Sequence, residues 1–174
     1  WPKRPLTPCV PTKKHSGKTA ALSEFDSKAQ MAAYGVPVPA QTIARSEEEA
    51  RAAAERMKKP LVMKINSDEI LHKTDAGVKL NIHSADEAAA AYQEILANVA
   101  RTKPGARTDG VLVQEMAPAG VEMIIGVTKD KQFGPMLLVG MGGVFVEVFK
   151  DAALYPAPLN HDEAIGMLKK LKSY

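Results

Sequence analysis

Val78, Leu80 and Ile82 alternate with Lys79 and Asn81, a period of two that predicts a strand with one apolar face. Other strands are predicted from short apolar runs between breakers. Thr42–Arg45 is brief, Leu61–Asn66 follows Pro60, and Val111–Glu115 is a compact run. Val121–Thr128 and Met136–Gly140 flank Lys129-Asp130-Lys131-Gln132-Phe133-Gly134, which reads as a hairpin connection, and Val144–Phe149 follows Gly142-Gly143. Helices are predicted by their caps. Ser46-Glu47-Glu48-Glu49 opens an Ala-rich run to about Met57, Ser84-Ala85-Asp86-Glu87 a helix to about Ala100, and Asn160-His161-Asp162-Glu163 a helix to about Lys172. In each, the cap oxygen accepts from an orphan N–H while the Glu three residues on reaches back. A fourth helix runs from about Ser23 to Tyr34 and stops at Gly35, a residue suited to the left-handed cap, with Pro37 beyond. Helices and strands alternate at first, and then three strands follow in sequence. That order predicts an α+β or mixed-sheet fold rather than a doubly wound parallel sheet.

The 174 residues suffice for one domain with its own core, or two small ones. With 45% hydrophobic and 25% charged residues the chain has ordinary globular composition, which excludes fibre and chain-wide disorder. Cys9 is the only cysteine, so neither a disulfide framework nor a thiolate metal cluster is available. No apolar run approaches the ~20 residues that cross a bilayer, and the first residues lack the apolar core of a signal peptide. The expectation is a cytoplasmic protein with no membrane partner. The net charge of +3 is dispersed, and aromatics at 5% give no stacking platform for single strands, so no nucleic-acid partner is expected. Residues 1–20 stand apart: Pro2, Pro5, Pro8 and Pro11 recur every third position ahead of basic residues, as in an extended linker. With Trp1 at the start instead of Met, that stretch suggests a piece of a longer chain, with residues 21–174 as the domain.

Candidate chemistry is sparse. Ser16-Gly17-Lys18-Thr19 ends like a phosphate-binding loop, but Thr12 stands where the first glycine belongs and a Pro-rich tail replaces the strand. Lys64 sits inside an apolar strand on the face of Val62, and a simple amphipathic reading puts it inward. A buried ammonium requires an anion, which a phosphate oxygen or a neighbouring carboxylate supplies; solvation on an open face is the other reading. His72 lies in the mixed-charge loop 67–77, suited to phosphate handling or simply exposed. Glu115 ends one strand and Glu122 begins another; such carboxylates hold a ribose or an ammonium, or are plain edge residues. The four histidines show no metal-ligand spacing, and no metal-binding residues are assigned.

Several segments together resemble one family. Leu22-Ser23-Glu24-Phe25 with Lys28, Tyr34-Gly35-Val36-Pro37-Val38-Pro39, Val62-Met63-Lys64-Ile65 and Ile70-Leu71-His72-Lys73-Thr74-Asp75 appear in the order found in ATP-grasp domains of NDP-forming acyl-CoA synthetases. Val113-Gln114-Glu115-Met116, Gly120-Val121-Glu122, Phe133-Gly134-Pro135, Gly140-Met141-Gly142-Gly143 and Val146–Asp151 continue it. The resemblance implies an ATP-grasp fold, incomplete at its C-terminal end. It implies interconversion of acid, CoA and ATP with acyl-CoA, ADP and phosphate, aided by CoA-binding and ligase domains that bind CoA and a small carboxylic acid. By motif match His72 is the catalytic histidine that relays the phosphoryl group, Lys64 holds nucleotide phosphates, and Glu115, Met116 and Glu122 belong to the nucleotide site. It also implies Mg2+, with ligands from a segment beyond Tyr174, and hence a chain inactive by itself. This chain reads Asp75-Ala76-Gly77-Val78 where the family usually carries two adjacent glycines. The runners-up are a succinyl-CoA synthetase β-type subunit, whose glycine- and arginine-rich loop His72 replaces, and the acyl-CoA-sensing region of a regulatory lysine acetyltransferase.

Overall fold

The computed structural model describes residues 22–57, 60–70, 77–143 and 151–174. The expected linker 1–20, the Ser16–Thr19 motif, His72 and the expected strand Val144–Phe149 lie outside the described residues. The chain divides into two compact units at Ala117/Pro118. None of the described helices is long and apolar enough to cross a membrane.

The first unit holds α1 (Glu24–Ala33), β1 (Gln41–Ala44), α2 (Glu47–Met57), β2 (Leu61–Ile65), β3 (Val78–Ile82), α3 (Ala85–Thr102) and β4 (Val111–Glu115). Its sheet runs in the order β1-β4-β2-β3, with every pair antiparallel. The element order predicted an α+β or mixed-sheet fold, and this unit is α+β with a fully antiparallel sheet. The alternation on β2 sorts its side chains. Leu61, Met63 and Ile65 enter the core with Val111 and Val113 of β4, Ala50, Ala53 and Ala54 of α2, and Ala88, Ala91, Tyr92, Ile95 and Val99 of α3. The alanines of α2 keep that helix close to the sheet, while fully buried Ile95 contributes about 1.5–3 kcal/mol. Lys64 falls on the opposite face, not inward as expected, because the core with α2 and α3 takes the Leu61, Met63 and Ile65 side of the strand. Gly110, at φ +114°, starts β4 where any Cβ would lie 2.4 Å from the Ala44 carbonyl oxygen, so the approach of β1 to β4 requires glycine there.

The helix starts follow the predicted caps, each worth about 1 kcal/mol. Ser23 Oγ accepts from Asp26 N, and Gly35 follows α1 at φ +80°. Ser46 and Ser84 accept from the N–H of Glu49 and Glu87 at 3.2 and 3.1 Å. Their glutamates reach one residue farther back than a capping box requires, accepting from Arg45 N and His83 N at 2.7 Å. The donor before the cap is satisfied instead of the cap's own.

The second unit holds β5 (Met123–Asp130), β6 (Gly134–Met141), β7 (Ala152–Pro156) and α4 (His161–Leu168). Its three strands form an antiparallel meander. The hairpin between β5 and β6 is tighter than expected, a three-residue turn in which Asp130 Oδ1 accepts from Gln132 N and Phe133 N and Gly134 takes φ +75°. Here α4 opens on a full capping box, Asn160 with Glu163. The helix expected to reach Lys172 stops at Leu168. Asp151 draws the following chain into turns by accepting from Lys172 N and Ser173 N at 2.8 and 2.9 Å, bonds that a continued helix would not offer. Strand β7 was not expected, because its apolar run is short and ends at a proline. Val139, Ala153, Met167 and Leu171 form the core of this unit.

Candidate functional site

Lys64 lies on β2 opposite Val78 of β3 and Leu112 of β4, with its side chain about one quarter exposed. Its Nζ donates to Glu24 Oε1 at 2.9 Å. The same oxygen accepts from Lys28 Nζ, one turn along α1, at 2.6 Å. Lys28 also donates to Gln114 Oε1, and the Gln114 side chain is buried against β2 opposite Val62. Four polar groups from α1, β2 and β4 thus meet on the face of the sheet that faces away from α2 and α3. The carboxylate partner weighed for Lys64 is present as Glu24, and the ammonium is held in place by a charge-assisted bond. Among the described residues, Lys28 and Lys64 both donate to the Glu24 carboxylate.

Gln114 is followed by Glu115 and Met116, where β4 ends. Glu115 N donates to Ala40 O and Met116 N to Pro60 O, so the strand end is fixed by backbone bonds on both sides. The register pairs Glu115 with Leu61, which places it on the core face of the sheet while Lys64 and Gln114 occupy the other. Asn81 N donates to Met116 Sδ at 3.3 Å from a residue at φ 58°. The structure therefore joins Lys64 with Gln114 directly, and Glu115 and Met116 adjoin them through the end of β4.

Glu122 belongs to the second unit and is exposed just before β5. Its carbonyl accepts from Gly142 N at 2.7 Å. A Cβ at Gly142 would stand 3.0 Å from the Glu122 backbone, and one at Gly143 2.9 Å from Glu122 Oε2. The Gly142-Gly143 turn is thus closely approached by Glu122, with no room for a side chain at either glycine.

His72 is outside the described residues, but the chain leading toward it is well tied. Ser67 Oγ donates to Arg107 O at 2.7 Å and accepts from Glu69 N and Ile70 N. Glu69 accepts from Arg107 through both N and Nε, at 3.0 and 2.8 Å, and the Arg107 side chain, ahead of its backbone N–H, holds the Glu69 carboxyl below the usual carboxylate range. Ile70 enters the core at 9% exposure. Past the undescribed residues, Gly77 sits where a Cβ would meet Ile65 at 3.1 Å. No three His, Cys, Asp or Glu side chains among the described residues converge to hold a metal ion.

Lys28, Gln114 and Glu24 were not singled out as site residues from the sequence. The i, i+4 spacing of Glu24 and Lys28 signals a helical ion pair, but nothing local reveals that Lys64 joins it.

Residues 13–174 match the model of the ATP-grasp domain family. The chain is 41% identical over 162 residues to the acetate–CoA ligase [ADP-forming] I subunit beta of Pyrococcus furiosus, covering 92% of this chain and 70% of that protein. It is 47% identical over 143 residues to acetate–CoA ligase [ADP-forming] I of Archaeoglobus fulgidus, covering 82% of this chain but 21% of that protein. It also resembles dinucleotide forming acetyl-coenzyme A synthetase 1 of Ca. Korarchaeum cryptofilum, solved in complex with coenzyme A, Ca-AMPCP and HgCl+. The TM-score is 0.85 and the identity 46%, over 89% of this chain and 68% of that one. The same synthetase has been solved with coenzyme A, acetyl-coenzyme A and a phosphorylated phosphohistidine segment; there the TM-score is 0.80 and the identity 44%, over 89% and 67% of the two chains.

Proposed function

This chain belongs to the ATP-grasp domain family, among relatives that are ADP-forming acetate–CoA ligases, and we propose that it is the nucleotide-binding part of a cytoplasmic acid–thiol ligase. The whole enzyme interconverts a carboxylic acid, CoA and ATP with acyl-CoA, ADP and phosphate. CoA and the acid are bound by partner domains or a partner subunit. The observation that carries this reading is the partly exposed Lys64 ammonium, held by Glu24 of α1 on the same sheet face as Gln114.

Phosphoryl transfer demands positioning and charge neutralisation more than covalent work by the protein. Lys64 takes a phosphate oxygen of the nucleotide in place of, or together with, Glu24. Glu115 and Met116, fixed at the end of β4, serve the base and ribose, and Glu122 is a further nucleotide-site carboxylate. Magnesium travels with the phosphates. In the direction of ATP synthesis, acyl-CoA and phosphate give an acyl phosphate and CoA; a histidine nitrogen of the ligase part then forms a P–N bond as the acyl phosphate's P–O bond breaks and the carboxylate leaves. An imidazole nitrogen of His72 then attacks phosphorus, forming one P–N bond as the other breaks. A β-phosphate oxygen of ADP next attacks, forming the P–O bond of ATP as the P–N bond to His72 breaks. The phosphorylated phosphohistidine segment of the Korarchaeum synthetase supports this role.

The test is a product assay on the full-length protein with MgATP, CoA and a panel of short carboxylic acids. ADP and acyl-CoA formed together, only when acid and CoA are both present, is the expected result. Formation of AMP, or of ADP without acid and CoA, contradicts the proposal.

A further inference from the structure

Lys28 has no role in the function proposed above, yet its ammonium ends on the oxygen that Lys64 uses. The two nitrogens stand no farther apart than those two bonds laid end to end, about 5.5 Å. The side chains of Lys28, Glu24 and Lys64 are 23%, 25% and 24% exposed, so water only partly screens the repulsion between the two ammoniums. A Glu–Lys pair four residues apart on a helix needs no third member. An ion pair kept for stability alone balances its charges, because an unmatched charge in a partly buried place carries a desolvation cost without a return. Here, among the described residues, Lys28 and Lys64 donate to the same carboxylate oxygen, and an entering anion would satisfy both.

Gln114 aims the second cation. Its side chain is 7% exposed and its Oε1 accepts from Lys28, so the ammonium is held from the α1 side by Glu24 and from the β4 side by Gln114. An ammonium carries three donors. These two bonds commit two of them, leaving the third for an incoming acceptor. Lys64 has the same need from β2. The pair therefore presents two donors across a short gap, each on a rigid element, to a ligand with several anionic oxygens on adjacent phosphorus atoms.

We propose that Lys28 is a second phosphate-binding cation of the nucleotide site, acting beside Lys64, with Glu24 as the anion that keeps the two together until a nucleoside diphosphate or triphosphate arrives. The inference rests on the reading of Lys64 as a phosphate ligand. It adds that Glu24 competes with the nucleotide, so removing the Glu24 charge tightens nucleotide binding.

Calorimetric titration of the full-length protein with ADP and with adenosine tests this, using Lys28→Met, Lys28→Arg, Lys64→Ala and Glu24→Gln. Lys28→Met is expected to weaken ADP binding about 10-fold or more, the loss of one charge-assisted bond, with adenosine binding unchanged. Lys28→Arg is expected to keep most of the ADP affinity, and Glu24→Gln to raise it. Wild-type ADP affinity in Lys28→Met, with the loss confined to Lys64→Ala, overturns the inference and leaves the Lys64 reading standing. Equal losses for ADP and adenosine in Lys28→Met, or weaker ADP binding in Glu24→Gln, also overturn it. Wild-type ADP affinity in Lys64→Ala overturns the underlying reading itself.

Discussion

Lys64 Nζ lies 2.9 Å from Glu24 Oε1, a bond between residues forty positions apart in the chain. It ties the start of α1 to β2 and fixes an ammonium that stays about one quarter exposed. If that ammonium holds nucleotide phosphate, Lys64→Ala removes a charge-assisted hydrogen bond worth roughly 1.5–3 kcal/mol, and affinity for ADP falls about 10- to 150-fold. Titration calorimetry on the folded full-length variant measures this directly. Unchanged affinity would make Glu24 the only anion Lys64 serves.

Glu69 offers a test by pH. Its carboxyl titrates below the ordinary value, chiefly because the Arg107 side chain donates to it and next because the Arg107 backbone N–H does. A depressed folded value means the bond's contribution is complete above the unfolded value of about 4.3 and is lost as pH falls through the lower folded one. NMR titration of the Glu69 carboxyl is expected to show a midpoint below those of unpaired surface glutamates. In Arg107→Ala the midpoint moves back only part of the way, since the backbone donor stays. A wild-type midpoint at about 4.3 would mean that the tie between 69 and 107 does not persist in solution.

Local chemistry made most of the fold legible. Ser23, Ser46, Ser84 and Asn160 announce their helices because a cap is a contact within four residues, and Gly35 ends α1 for a reason written in its own backbone. Strand β7 was illegible because Ala152–Pro156 becomes a strand only by pairing with β6, from Met136↔Pro156 to Gly140↔Ala152. The end of α4 at Leu168 was equally hidden. Nothing in 169–172 breaks a helix, and the decision falls to the distant Asp151 carboxylate.

The site was legible in part. The alternation on β2 put Lys64 on the face of Val62 and suggested an inward ammonium, whereas the core formed with α2 and α3 takes Leu61, Met63 and Ile65 instead. A carboxylate was among the partners weighed for Lys64; which carboxylate was not readable, since Glu24 reaches it only through the docking of α1. Glu115 and Gln114 are neighbours in sequence, but the register alone reveals that Gln114 shares the Lys64 face and Glu115 does not. The role of His72 came from resemblance to a motif and not from its surroundings.

The relay through His72 is the central claim, and phosphate labelling tests it most directly. The nucleophile is a neutral imidazole nitrogen. Asparagine retains some hydrogen bonding but cannot carry a phosphoryl group. The measurement is rapid-quench labelling of the full-length enzyme from a radioactive phosphoryl donor, followed by peptide mapping, in wild type and His72→Asn. The expected result is acid-labile label on the peptide containing His72, lost in His72→Asn together with phosphate transfer to ADP, while nucleotide binding stays largely intact. An unlabelled His72 peptide, with near-normal turnover in His72→Asn, would contradict the account.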